Sequence, residues 1–357
     1  MQKKYIENYL KSYAVKSSNS KGRIFKEEEN KIRSPYQRDR DRIIHSSSFR
    51  RLKHKTQVFV NTIGDHYRTR LTHSMEVSQI ARTISRSLSL NEDLTETLSL
   101  AHDLGHTPFG HAGEEVLSDC MNKYGGFNHN IQTLRIVTSL ENKYYKFRGL
   151  NLTIETLDGL FKHNGSIRDL NPYKKILKKD LFNNRFFFNL SPSLEAQVAA
   201  ISDDIAYNNH DLEDGLRAKL FNLSAFSSMP YISSIIKKHV AKVRKFRKEI
   251  IISQIVRDLI NLMVNDVIKT TKKNLRRINP HSIQDIYKQN NLMVDFSPKM
   301  KIIDRQIKDF LNQNMYNHKT VIVNTNKGKK IIKDLFKYLL KNSKKHISSE
   351  LFKKEKK

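Results

Sequence analysis

One cysteine, Cys120, is present in 357 residues. That excludes a disulfide framework and a zinc finger, both of which need several thiols. It leaves Cys120 to be read as a small buried hydrophobe, and the lack of pairing fits a reducing compartment, so a cytoplasmic location is expected. Proline- or glycine-rich linkers and internal repeats are missing. So is a long apolar run: the longest stretch, 250–268, is broken by Arg257, Asp258 and Asp266 and reads as an amphipathic helix, so no membrane contact is expected. The first ten residues carry charge without an apolar segment, unlike a secretory signal. Lys327-Gly328-Lys329-Lys330 lacks the upstream glycine of a phosphate-binding loop and reads as a solvated turn. There is no Gly-x-Ser-x-Gly elbow and no dinucleotide fingerprint.

Acidic residues are also scarce. The chain has 36 Asp and Glu against 65 Lys and Arg, a formal charge of +29. Such an excess binds polyanions or anionic small molecules, or serves only to repel and solubilise. Richness in Lys, Asn and Ile, which AT-rich codons favour, is a second source of the charge. The basic residues thicken toward the C-terminus, at Lys237-Lys238, 272–277 and 353–357.

From Arg38 onward the pattern is helical, and the chain is expected to be mainly α. Met75, Val77, Ile80, Ile84 and Leu88 recur mostly at helical spacing. Further helices are expected over 93–102, 110–124 and 129–140, and over a segment capped by Ser191, with Pro192 in its first turn, that runs toward Asp214. Thr320-Val321-Ile322-Val323, short and β-branched, is the best strand candidate and suggests a small β element near the C-terminus. Three regions follow: a polar N-terminal arm at 1–32, a core at 33–216, and a basic, mostly helical region at 217–357 packed on that core.

The densest information lies in Ala101-His102-Asp103-Leu104-Gly105-His106-Thr107-Pro108-Phe109-Gly110-His111. An adjacent His-Asp pair offers one neutral nitrogen and one anionic oxygen, as a borderline or hard divalent cation requires. The two side chains project about 100° apart on a helix, so they share an ion only at a helix end or between helices. Gly105 supplies such an end. His73 lies upstream, in Thr69-Arg70-Leu71-Thr72-His73, and Ser202-Asp203-Asp204 lies downstream. Histidine, then His-Asp, then a distant aspartate is the ligand order of the HD superfamily of metal-dependent phosphohydrolases, which this chain resembles.

The flanks narrow the resemblance. The block Gln37 to His45, the block Phe49 to Phe59 and the block Asp203 to Gly215 look like those of the dGTPase family, the deoxynucleoside triphosphate triphosphohydrolases. Arg33 to Gly215 carries the likeness, with an echo at Ile331 to Leu340. It implies an HD helical bundle and a divalent metal, Mn²⁺, Mg²⁺ or another transition ion, held by His73, His102, Asp103 and Asp203. Asp203 and Asp204 are neighbours and both stay open as the fourth ligand; the family's tyrosine four residues on, here Tyr207, favours Asp203. The implied substrate is a dNTP cut at its α-phosphorus to deoxynucleoside and intact triphosphate. Arg70 and the basic set Arg50, Arg51, Lys53 and Lys55 would line the triphosphate's path, with Arg51 and Lys55 on one face if that stretch is helical. Gln57 resembles the residue that bonds the sugar 3′-hydroxyl, and Val58 would pack where a 2′-hydroxyl needs room. Tyr207 and Asp211 resemble base- or sugar-side contacts. His111 and Glu114, three apart on a helix, form an acid/base unit. His111 and His129 are expected as proton donors or in-line groups, and His106 as a phosphate contact. Thr107 stands where many relatives carry proline, a change of loop rigidity. The family further implies a homo-oligomer, a dNTP effector and single-stranded DNA as partners. Two other readings stay open: a different HD phosphohydrolase acting on cyclic nucleotides or alarmones, and a nucleic-acid-binding regulator using the basic C-terminal half.

Overall fold

Many helices of this chain start where a hydroxyl or amide side chain can accept the free amides of a first turn, a device that stabilises such a start by about 1 kcal/mol. The structure, a computed structural model, describes residues 7–58, 67–182, 186, 188–240 and 247–346. Its helices in chain order are α1 (Pro35–Ile44), α2 (Ser47–Arg51), α3 (Arg70–Leu88), α4 (Glu92–Ala101), α5 (Gly110–Cys120), α6 (His129–Arg135) and α7 (Ile154–Phe161). Then come α8 (Asn171–Ile176), α9 (Leu194–Arg217), α10 (Pro230–Val240), α11 (Lys248–Ile278), α12 (Ile283–Tyr287), α13 (Pro298–Leu311), α14 (Lys319–Lys341) and α15 (Ser343–His346). Ser34, Thr69, Asn91, Asn128 and Ser193 cap α1, α3, α4, α6 and α9. The fold is all-helical; the described residues contain only isolated β-bridges.

Two apolar cores meet along α9. Leu194, Val198, Ile201 and Ile205 face one core, shared with α3, α11 and α13, while Ala196 and Ala199 face the other, shared with α1, α4, α6 and α7. Fully burying each such aliphatic side chain is worth about 1.5–3 kcal/mol. A helix enclosed on both sides can carry polar groups only if each finds a partner. Glu195 accepts from the amides of Val15 and Asn91, and Gln197 accepts from those of Met293 and Val294.

Several sequence expectations are corrected. Thr320 to Val323 forms no strand: it opens α14, where Val321 is buried and Phe109 packs against Gly328. Packing of a long amphipathic helix overrides the β preference of four residues. Ser193, not Ser191, caps α9: its hydroxyl accepts from the Ala196 amide at 3.2 Å, while the Ser191 amide donates to the Tyr287 carbonyl. Within the stretch read as a polar arm, the described residues place Leu10, Ala14 and Val15 against the cores. Met75 leaves the α3 stripe and is exposed, and Cys120 is only half-buried. Helix α5 stops at Cys120, before the left-handed Gly125 and Gly126, and α6 passes into a π-helical turn after Arg135. The stretch 250–268 lies in α11, and no described helix is long and apolar enough to cross a membrane. Phe59, residues 1–6 and the basic run 353–357 lie outside the described residues.

Candidate metal centre and acid–base cluster

Three helices deliver the metal-type ligands. His73 sits one turn into α3, behind the Thr69–Thr72 capping box. His102 caps the end of α4, and its Nδ1–H donates to the Ser99 carbonyl at 2.6 Å. That bond fixes the tautomer and leaves the Nε2 lone pair facing inward. Asp203 comes from the middle of α9; its Oδ1 lies 2.8 Å from His73 Nε2 and 3.5 Å from His102 Nε2. Donor atoms of His73, His102 and Asp203 all lie within 4.8 Å of one another. Asp103 borders this group without joining it: Oδ1 is 3.5 Å from His102 Nε2, and Oδ2 takes a 2.7 Å bond from the Arg70 guanidinium. Asp204 points to solvent and pairs with Lys308 at 2.9 Å, so the α9 carboxylate turned inward is Asp203.

The donor set fits a divalent cation. His102 Nε2 is buried without a hydrogen-bond partner, a costly condition for a polar atom. Burial opposes a charge on His102, yet Asp103 and Asp203 outweigh it and lift the imidazole to about 9. Two carboxylates thus call for positive charge at that nitrogen. Burial likewise opposes ionisation of Asp203, and His102 and its neighbours still hold it well below the usual carboxylate range. Two imidazoles and a carboxylate with open positions suit a catalytic transition ion.

A second cluster lies beside the first, bridged by Asp103, whose Oδ1 is 3.4 Å from His106 Nε2. His106 and His129 stack with ring centres 3.9 Å apart. Glu114 holds His129 Nδ1 at 2.8 and 2.9 Å and also accepts its backbone amide at 2.8 Å. His111 is 3.7 Å from Glu114 and largely exposed. The expected His111–Glu114 pair is therefore present, but Glu114 binds His129 more tightly. Burial opposes ionisation of Glu114, but the bonds from His111 and His129 hold its carboxyl well below the ordinary range. This triplet, too, has metal-type residues. Each group contains one close imidazole–carboxylate pair, Glu114 with His129 here and His73 with Asp203 in the first, and each has a buried nitrogen without a partner, His106 Nδ1 here and His102 Nε2 there. His106 is buried, and burial together with Arg70 keeps it neutral.

The loop joining the clusters is sterically tight. A Cβ on Gly105 would lie 2.1 Å from the His129 carbonyl, and the Gly105 amide donates to Thr133 of α6 at 2.9 Å. Phe109 and Gly110 both adopt left-handed backbone, and the Arg70 guanidinium fills the space that a side chain at 110 would need.

The substrate-side expectations divide. Lys55 reaches the Leu104 carbonyl at 3.1 Å, and burial, aided by Arg70, brings its ammonium down to about 8. Arg51 and Lys53 are exposed, and Arg51 shares no helical face with Lys55, because α2 ends at Arg51 and Lys55 is extended. Gln57 lies beside the start of α3; its Oε1 is buried and unpartnered. Val58 packs on the core edge. Asp211 is buried and accepts from the Tyr316 hydroxyl at 2.7 Å, while the Tyr207 ring lies 6.2 Å from that of Tyr316. Burial pushes Asp211 up to about 8 and raises the Tyr207 phenol above its ordinary value.

Sequence reasoning missed two residues. His163, just past α7, stacks on His102 at 5.4 Å and points Nε2 at Asp203 Oδ2 from 3.8 Å. Tyr316 ends the π-helical turn after α13. Neither sits in a motif; Gly165, two residues after His163, was the one hint of a shaped turn.

Comparison with known proteins gives the family. Residues 70–208 match the HD domain model, and residues 294–357 match the phosphohydrolase-associated domain model. The deoxyguanosinetriphosphate triphosphohydrolase-like protein of Pelagibacter ubique (strain HTCC1062) is 56% identical over 333 residues, 93% of this chain and 90% of the relative. The protein of the same name from Bartonella henselae is 50% identical over 356 residues, 96% and 87% of the two chains. That of Parvibaculum lavamentivorans is 46% identical over 331 residues, 92% and 84%. With its ligand-type residues converging at the junction of α3, α4 and α9, the chain belongs to the dGTPase-like family of HD phosphohydrolases.

Proposed function

We propose that this protein hydrolyses deoxynucleoside triphosphates at the α-phosphorus, releasing the deoxynucleoside and inorganic triphosphate. The observation that carries the reading is the bridge at Asp103, which sets a cation-type site directly against ionised Glu114 and the His129 ring it holds. His73, His102 and Asp203 would hold the divalent ion, with Asp103 at its edge. When bound, that ion makes water a nucleophile at neutral pH and withdraws charge from a phosphoryl oxygen.

The protein's own groups do the rest. Arg70, whose buried Nε lacks a partner, and Lys55, whose lowered ammonium gains from an anion, bind the triphosphate. Glu114 accepts the Nδ1–H of His129 and orients the ring; His111 stands at the open side. One of these imidazoles delivers a proton to the 5′-oxygen. The water oxygen ends on phosphorus, the bond from phosphorus to the 5′-oxygen breaks, and the water's proton leaves to solvent or to a neighbouring base. Neutral His106 spaces the two clusters and can donate one hydrogen bond to a phosphate. The orphan Gln57 Oε1 suits a sugar hydroxyl, and Asp211, protonated below about 8, can donate to the sugar or base. Val58 narrows the room for a 2′-hydroxyl.

The test is incubation of the full chain with each dNTP, alone and mixed, with Mn²⁺ or Mg²⁺, resolving products by ion exchange. Deoxynucleoside with intact triphosphate is expected, and activity confined to mixtures would add an effector nucleotide. Monophosphate or single phosphates would overturn the reading in favour of another HD phosphohydrolase. A homo-oligomer is part of the same proposal, supported by the exposed Ile331, Leu335 and Leu339 on one face of α14. A cytoplasmic site of action fits the single thiol.

A further inference from the structure

His163 has no place in the roles above, although it touches the centre of the site. It follows Lys162, which ends α7 and whose buried ammonium is pinned by Asp158 at 2.9 Å. Gly165 then turns the chain at φ 98°, a conformation suited to glycine, and returns its amide to the Lys162 carbonyl at 2.9 Å. The imidazole projected by this turn is mostly buried and lies on the His102 ring, centres 5.4 Å apart and planes 27° from parallel. Its Nε2 faces Asp203 Oδ2, the oxygen turned away from His73 and His102. Its donor atom is not among those of the mutually close ligand group.

We propose that His163 is a positioning residue that holds the Asp203 carboxylate with Oδ1 turned to the metal. A carboxylate free to rotate offers that oxygen to the cation only part of the time, and its rotational freedom is lost on binding. An Nε2–H aimed at Oδ2 fixes the rotation that leaves Oδ1 beside His73 and His102. At 3.8 Å the contact is longer than a hydrogen bond, and a small tilt of the carboxylate closes it. The stack on His102 couples the same ring to a second ligand, so one side chain sets the pose of two. Partners of this kind, outside the metal's own ligands, typically govern affinity by about 10–100-fold. The inference rests on the metal-site part of the proposed function.

The test is Mn²⁺ titration of the purified full chain by calorimetry, with steady-state turnover of a dNTP measured alongside. His163→Phe keeps the stack and removes the donor; His163→Gln places an amide donor near the position of Nε2. Weakening of Mn²⁺ binding by about 10–100-fold in His163→Phe, with recovery to within a few-fold in His163→Gln, is the expected result. Wild-type affinity in His163→Phe would overturn the proposal. So would equal losses in both variants, which would make His163 a ligand or a structural ring. Should His163→Phe fail to fold, His163→Gln alone decides, since it must bind Mn²⁺ nearly as wild type. Equal Mn²⁺ affinity in wild type and Asp203→Ala would overturn the metal site itself and this inference with it. A wild type that binds Mn²⁺ but turns over no dNTP would overturn the proposed reaction while the titration still decides the role of His163.

Discussion

At the residue scale, the site is a set of groups whose charge states are imposed by neighbours. Glu114 is the clearest, kept ionised against its burial by two histidines. If it orients His129 for proton transfer, Glu114→Gln should lower turnover by about 100-fold or more while leaving Mn²⁺ affinity within a few-fold of wild type. Near-normal turnover would remove the pair from the mechanism. Asp211 makes a prediction about stability. Its carboxyl is raised by burial from an unfolded value of about 4 to about 8. Stability from a group raised on folding is fully present below the unfolded value and is lost as pH rises through the folded one. Wild type should therefore lose stability between about pH 4 and pH 8 through this group. Asp211→Asn, neutral throughout, should escape that loss and still accept from Tyr316. Its melting temperature relative to wild type should rise from about pH 5 to about pH 9; a constant difference would show that Asp211 does not titrate as described.

At the element scale, the site depends on how closely α4 and α6 approach behind Gly105. Gly105→Ala would drive a methyl group into the His129 carbonyl, 2.1 Å from the ideal Cβ. Overpacking of this kind costs about 1–3 kcal/mol, and it should also displace His129. Thermal unfolding and turnover should both fall, and a variant with wild-type melting and activity would contradict the close approach. The same element shows what was legible beforehand. A His-Asp pair at a helix end, with Gly105 behind it, is a local pattern, and the helix periods of α3, α4 and α9 are local as well. Thr320 to Val323 misled because its β preference is local, while the reason it is helical, burial of Val321 and the contact of Gly328 with Phe109, is not. Ser193 took the cap expected of Ser191, whose amide is held instead by the Tyr287 carbonyl, a contact remote in sequence. His163 and Tyr316 were invisible because each reaches the site from a turn remote in sequence, through an approach only the packed helices define.

At the scale of the whole molecule, charge and apolar surface act in opposite directions. A chain of formal charge +29 repels its copies, while α14 exposes Ile331, Leu335 and Leu339. Association through that face should strengthen as salt screens the repulsion. Binding of single-stranded DNA should weaken steeply with salt, because phosphate contacts release counterions. Sedimentation across a salt series, with and without an oligonucleotide, separates the two. Oligomers that dissociate with added salt would contradict an apolar interface, and DNA affinity flat in salt would leave the positive charge without a nucleic-acid role.

The most direct measurement is hydrolysis of a dNTP in heavy-oxygen water with Mn²⁺, by wild type and Asp203→Ala, followed by mass spectrometry of both products. The expected result is one heavy oxygen in an intact triphosphate, an unlabelled deoxynucleoside, and loss of turnover by more than about 100-fold in the variant. Label in a monophosphate or in orthophosphate, or undiminished turnover by Asp203→Ala, would contradict metal-assisted attack at the α-phosphorus.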